Sequence, residues 1–189
     1  MKKAALLIAS LAAIAAVRGD IIPVFTGTSP SSTNTVWGYQ IDITSSQQVT
    51  TGDFFTIYDF GPFISGSNVQ PTGWTFSSSL LTPPPSGTNP PDNPTLLNLT
   101  WTYTGAATIP TDSTVGPFSV TVAGTQFREV PDTRASYFAA QATRTGGSGT
   151  KISNVGQIPV PVAIPEPTTL SLLALGAAGA AARAFRRRS

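Results

Sequence analysis

The chain has 189 residues with 11 Lys and Arg against 9 Asp and Glu, and it contains neither histidine nor cysteine. The absence of cysteine removes disulfides and thiolate chemistry, and the absence of histidine removes the usual general base and the imidazole metal sites. Only 11% of residues are charged, where roughly 25% is usual.

The charge is unevenly placed. Lys2, Lys3, Arg18, Arg183, Arg186, Arg187 and Arg188 lie at the two ends. Between Asp20 and Ile164 stand four cations (Arg128, Arg134, Arg144 and Lys151) against eight acids. This middle region is mildly acidic and has no basic patch for phosphates, so no nucleic-acid partner is expected.

Residues 1–19 read as a secretory signal peptide. Lys2 and Lys3 precede an apolar run from Ala4 to Val17, shorter than the ~20 residues of a membrane-spanning helix. Ala13-Ile14-Ala15 and Val17-Arg18-Gly19 both suit a cleavage site, which places the mature start between residues 16 and 20. The export machinery is the first expected partner.

Residues 20–157 read as an exported, all-β domain. Trp37, Tyr39, Ile41 and Ile43 alternate with Gly38, Gln40 and Asp42, which is the period of a half-buried strand. Phe54 to Phe60 is aromatic enough for a strand buried on both faces. A shorter strand starts near Trp74. Leu97, Leu99, Trp101 and Tyr103 alternate with Asn98, Thr100 and Thr102, and Phe118, Val120 and Val122 repeat the pattern. Residues 126–130, 135–143 and 151–155 complete the set; the Ala-rich stretch 136–142 is compatible with helix as well.

Turn clusters separate these runs, among them Thr51-Gly52-Asp53 and the Gly-rich 145–149, a hairpin connection. Residues 81–94 are too Pro-rich for helix or strand and should form an extended surface loop. Seven to nine short strands at this spacing predict an antiparallel β-sandwich of Ig-like or jelly-roll type.

The domain offers little for catalysis. A carboxylate-only glycosidase needs two acids about 5–10 Å apart. Asp42, Asp53, Asp59, Asp92, Asp112, Glu129 and Asp132 are the available groups, with Asp53 and Asp59 flanking an aromatic strand. Pro91-Asp92-Asn93-Pro94 lacks the alternating acids of a calcium loop. No cofactor and no metal are expected, and the domain is read as non-enzymatic. Trp37 and Trp101 fall on apolar faces and belong to the core, whereas Trp74, beside a glycine and near a Ser-rich stretch, is the best candidate for an exposed ligand-binding aromatic. Asn98-Leu99-Thr100 is a formal glycosylation sequon in a predicted strand.

The C-terminal end follows a different pattern. Residues 158–167 are Pro-rich and read as an extended linker carrying Pro165-Glu166-Pro167. Residues 168–185 are apolar and helix-compatible, about 27 Å long as a helix, a marginal transmembrane span. Arg183 closes the apolar run, and Arg186, Arg187 and Arg188 lie in the basic tail 186–189, cytoplasmic by the positive-inside rule. Both ends therefore place the middle outside.

Pro165, Glu166 and Pro167, the Ala/Leu/Gly helix and the terminal arginines closely resemble the PEP-CTERM sorting signal of Gram-negative bacteria. The resemblance is confined to about residues 164–189. It implies an exosortase-type membrane protease as partner and an inner-membrane-anchored precursor, with a fate at the cell surface or in an extracellular matrix rich in exopolysaccharide. There the β-domain would be structural or adhesive; the alternatives are a carbohydrate-binding module using exposed aromatics and, third, a carboxylate-only glycoside hydrolase.

Overall fold

The computed structural model describes residues 21–61, 63–124, 127–130, 137–147 and 149–163. The expected signal peptide, the Pro-Glu-Pro motif, the transmembrane helix and the basic tail lie outside the described residues. Among the described residues no helix is long and apolar enough to cross a membrane.

The described residues form eleven strands, all paired antiparallel. They are β1 (Ile21–Ser31), β2 (Asn34–Ile43), β3 (Gln47–Gln48), β4 (Phe54–Ile57), β5 (Trp74–Ser79), β6 (Asn98–Tyr103), β7 (Ser113–Val122), β8 (Phe127–Val130), β9 (Tyr137–Arg144), β10 (Lys151–Gln157) and β11 (Val160–Ala163). One sheet has the order β1-β2-β7, a second runs β10-β9-β4-β6-β5 with β3 beside β9, and β11 pairs with β8. The Ala-rich stretch thus adopts the strand alternative, and the Gly-rich connection joins β9 to β10 as a hairpin.

Period-two alternation explains the packing. Along β2, Trp37, Tyr39, Ile41 and Ile43 are buried while the residues between them are half-buried. Phe118 on β7 meets Phe55, Trp74 and Trp101 of the other sheet at ring separations of 5.1, 5.1 and 5.9 Å. Phe60 approaches Trp37 and Tyr39 across the same interface. Two sheets facing each other through one aromatic core are what a β-sandwich requires. Each fully buried large apolar side chain contributes ~1.5–3 kcal/mol, and well-placed ring pairs add ~0.5–1.5 kcal/mol.

The three indole N–H groups have no hydrogen-bond partner among the described residues. Each indole meets a phenyl ring steeply: Trp37 on Phe60 at 85°, Trp74 on Phe118 at 85° and Trp101 on Phe118 at 70°.

Local devices shape the sheets. In the β2–β7 ladder Tyr39 pairs with Phe118 but Ile41 pairs with Val115, so Gly116 and Pro117 form a bulge opposite Gln40. A Cβ on Gly116 would lie 3.1 Å from Gln40 Cβ, so the close approach favours glycine. The free edge of β7 is occupied by a crossing segment: Val69 exchanges backbone hydrogen bonds with Ser119, and Ile64 N–H donates to Thr121. This blunts an edge that would otherwise template aggregation.

The end of the domain differs from the linker expected over 158–167. Ile158 and Val160 are each 1% exposed and join the core. The Tyr39 hydroxyl donates to the Pro159 carbonyl at 2.9 Å, and β11 runs antiparallel to β8 from Val160 opposite Val130 to Ala163 opposite Phe127. Proline is compatible with strand structure on an edge, and Pro161 sits in this two-stranded ladder opposite Glu129. Chain that composition alone would assign to a free tether is part of the fold.

Candidate functional site

The five-stranded path β10-β9-β4-β6-β5 presents two faces of opposite chemistry. Its inner face carries Phe76, Trp101, Phe55 and Ala140 in one cross-strand row. Phe55 stacks on Trp101 at 5.1 Å with an interplanar angle of 16°, and alanine at 140 adds little bulk beside that pair. One step along the strands every side chain points the other way.

On that outer face Thr75, Thr102, Phe54, Gln141 and Ser153 lie side by side, one from each strand. The adjacent row is Ser77, Thr100, Thr56, Ala139 and Val155. Neither row holds a charge. Thr75 and Ser77 are exposed, Thr100, Thr102, Gln141 and Ser153 half-buried, and Val155 is 47% exposed. Phe54 is half-buried and does not pack against the core cluster. It is the one aromatic ring of these two rows, set among hydroxyls and the Gln141 amide.

Each end of this face is fastened by an acid. At one end Asp53, fully buried, accepts from Thr50 N–H at 2.8 Å and from the Thr143 hydroxyl at 2.8 Å. The Lys151 ammonium reaches Asp53 Oδ1 at 2.6 Å and also donates to Thr143 and Thr50. The Thr50 hydroxyl donates to Asp53 as well, at 3.2 Å, and a buried carboxylate is tolerated because these four donors surround it.

At the other end the Pro-rich loop is tied down. Asp92 accepts from Thr82 N–H at 3.1 Å and from the Asn98 amide at 3.0 Å. Asp59, held at φ +50°, accepts from Asn93 N–H at 2.8 Å, and its own N–H donates to Asn98 Oδ1 at 2.9 Å. The Tyr58 hydroxyl donates to the Thr82 carbonyl at 3.3 Å. Tyr58, Thr56 and Ala139 are buried although they are not part of the aromatic core. The loop expected over 81–94 is present, with Pro85 and Pro90 buried and Leu81 60% exposed.

Two groups in this knot have shifted acidities. Burial, reinforced by the Asp92 charge, pushes the Tyr58 phenol up from 10.0 to about 12. Burial also raises the Asp59 carboxyl; the Asn93 N–H opposes this, and the Asp92 charge adds to it.

The sequence candidates are distributed as follows. Trp37 and Trp101 are core residues, as expected. Trp74 is not exposed: at 5% exposure it lies on the inner face against Phe55, Tyr103 and Phe118. Its neighbours Gly73 and Ser77 made it look superficial, but β5 register places it opposite Tyr103. Asp53 and Asp59 stand at opposite ends of β4, on the order of 15–20 Å apart at ~3.3 Å per residue, beyond the span of a glycosidase pair. Asp59 is instead brought beside Asp92. Asn98 is fully buried with its amide nitrogen bonded to Asp92, so its sequon is closed. Among the described residues no three His, Cys, Asp or Glu side chains gather in a metal-binding group. The sequence pattern of 54–60 suits a strand buried on both faces, whereas Phe54 lies half-buried outside the core cluster.

Residues 163–188 match the PEP-CTERM protein-sorting motif, so the chain carries that signal at its C-terminal end. No curated protein matches the chain. Among solved structures it is similar to ACE19, the collagen binding subdomain of Enterococcus faecalis surface protein ACE. The identity is 13%, the TM-score 0.30, and the alignment covers 74% of this chain and 95% of that one.

Proposed function

We propose that the chain is an exported, non-enzymatic β-sandwich protein that is structural or adhesive within an exopolysaccharide layer. An inner-membrane-anchored precursor is handed to an exosortase-type protease and reaches the surface or extracellular matrix of a Gram-negative bacterium. The observation that carries the sorting half is the match of residues 163–188 to the sorting motif. Pro165, Glu166 and Pro167 then form the recognition element, and Arg183, Arg186, Arg187 and Arg188 stop transfer through the membrane.

The outer face around Phe54 supports the adhesive half. An uncharged surface of hydroxyls and one amide, centred on an apolar ring, suits a neutral polysaccharide: the ring covers a sugar's C–H face while Thr102, Gln141 and Ser153 exchange hydrogen bonds with its hydroxyls. Trp74, buried as it is, supports binding only by holding β5 in place.

Two experiments test the two halves. Pro165→Ala with Glu166→Ala is expected to leave export intact and hold the protein in the inner membrane; fractionation identical to the wild type would contradict the sorting role. Phe54→Ala is expected to abolish co-sedimentation with the host's own exopolysaccharide, and unchanged co-sedimentation would reject this face as the adhesive surface.

A further inference from the structure

We infer that the outer face, taken as adhesive on the reading above, holds an internal stretch of an uncharged polysaccharide laid across the strands, and so grips long chains along their length and not by their ends.

Burial along the rows sets the direction. In the row Thr75, Thr102, Phe54, Gln141 and Ser153 the first residue is exposed and the others half-buried, so the row is open from one sheet edge to the other. Its neighbour is closed in the middle. Thr56 and Ala139 are fully covered there, while Ser77 on β5 and Val155 on β10 stay exposed. At the next outward position along β6, Asn98 is fully buried and its amide donates to Asp92 of the Pro-rich loop. The loop is thus a bank on that side. On the other side Thr143 is 3% exposed, and the Lys151 ammonium opposite donates to its hydroxyl at 2.8 Å. The open floor lies between these banks and runs out over β5 and β10, the outermost strands of the path.

Its size suits several sugars in line. Thr143 and Ala139 are four residues apart on β9, so the banks stand ~13 Å apart along the strands. Five strands at ~4.8 Å spacing make the floor ~19 Å across, the length of about four pyranose rings. A site for a chain end needs a wall where the chain stops. Among the described residues neither edge supplies one, since Thr75 is exposed at β5 and Val155 is 47% exposed at β10. A polymer enters over one edge and leaves over the other.

Charge narrows the ligand further. The floor carries no ionisable group, and Lys151 at its rim is engaged by Asp53 at 2.6 Å. On the loop bank stand Asp59 and Asp92, which would repel an acidic chain. Phe54, on the middle strand, covers one sugar ring, and Thr102 and Gln141 flank it. Thr75 and Ser153 reach only sugars further out. Each neutral hydrogen bond adds little alone, so affinity should grow with chain length until the floor is full.

The test uses the full chain purified in detergent and the charge-neutral fraction of the host's own exopolysaccharide. Part of that fraction is immobilised; the rest is partly hydrolysed and separated by length, from dimers to octamers, as competitors. Three forms are compared: the wild type, Phe54→Ala, and Thr75→Val with Ser153→Ala, each with unchanged tryptophan emission as the check on folding. Potency is expected to rise at least about tenfold from dimer to tetramer and to level off beyond the pentamer. Blocking the reducing ends should change nothing, and polygalacturonate should compete poorly. Thr75→Val with Ser153→Ala is expected to weaken the longer oligomers about tenfold and to leave the dimer unaffected.

Equal potency of dimer and octamer would overturn the inference and leave a single stacked ring. Loss of competition on blocking the ends, or stronger competition by polygalacturonate, would overturn it too. So would a Phe54→Ala variant that changes mass in sedimentation while binding normally, which would make the face a contact between two copies. If the wild type does not bind the immobilised polymer, the adhesive reading itself falls. If it binds without dependence on length, only the crossing geometry is refuted.

Discussion

The two faces of the β10-β9-β4-β6-β5 path come from the same residues in alternation, yet they do different work. The inner face gathers Phe55, Trp74, Phe76, Trp101 and Tyr103 against Phe118 of the facing sheet. The outer face sets Thr, Ser and Gln around one ring, with an acid-centred knot at each end. A chain without cysteine draws its stability from the first face, and this leaves the second free to be polar and uncharged. Stability and surface chemistry are separated by a single residue step, and substitutions one position apart should separate them too.

The largest effect is expected on the inner face. Trp101→Ala removes a fully buried indole that stacks on Phe55 and touches Phe118. It should cost ~3–5 kcal/mol in urea unfolding of the domain, and a loss below about 1 kcal/mol would mean the two sheets are not joined through this cluster. Asp53→Ala should cost ~1–3 kcal/mol, because Thr143 and the Thr50 N–H lose their acceptor and Lys151 loses its counter-ion. Since Lys151 is 38% exposed, added salt should weaken the wild type and leave the variant nearly unchanged. Equal salt dependence would show that the pair adds nothing.

Phe54→Ala, one residue away, should shift stability by under about 1 kcal/mol while removing polysaccharide binding. Were it to destabilise the domain as much as Trp101→Ala, the two-face distinction would fail.

The smallest effects concern pH. Tyr58 has a folded pKa raised to about 12 from 10.0. Between these values the unfolded chain has lost the phenolic proton while the folded chain keeps it. Stability from this group is therefore complete below pH 10 and is lost as pH rises toward 12. Tyr58→Phe should flatten that alkaline loss and remove a step near pH 12 in absorbance at 295 nm. Asp59 is also raised, so it costs stability once pH climbs through its folded value; Asp59→Asn should remove that acid-side slope. An unaltered slope in either variant would show that the loop knot is open in solution.

How much of this the sequence discloses depends on range. The alternation of Trp37, Tyr39, Ile41 and Ile43 is local and translates directly into β2. The same holds for Leu99, Trp101 and Tyr103 in β6. β1 has prolines at 23 and 30 and a bulge at Phe25–Gly27, which blur the pattern, and its place at a sheet edge makes them tolerable. β11 was hidden for the same reason, since Pro159 and Pro161 mimic a linker until β8 is seen beside them. Burial of Trp74 was illegible because Phe118, which covers it, is 44 residues away in the chain. The knot of Asp59, Asp92 and Asn98 likewise depends on contacts no local pattern encodes. The sorting signal is the opposite case: it is read as a linear string, so its residues and order are sufficient to find it.

The most direct measurement of the whole account is the intact mass of the protein recovered from the surface fraction of its own host. The account predicts a chain that starts between residues 16 and 20 and lacks the terminal arginines. Recovery of the uncut 189-residue product, from the cytosol and with both termini present, would contradict it.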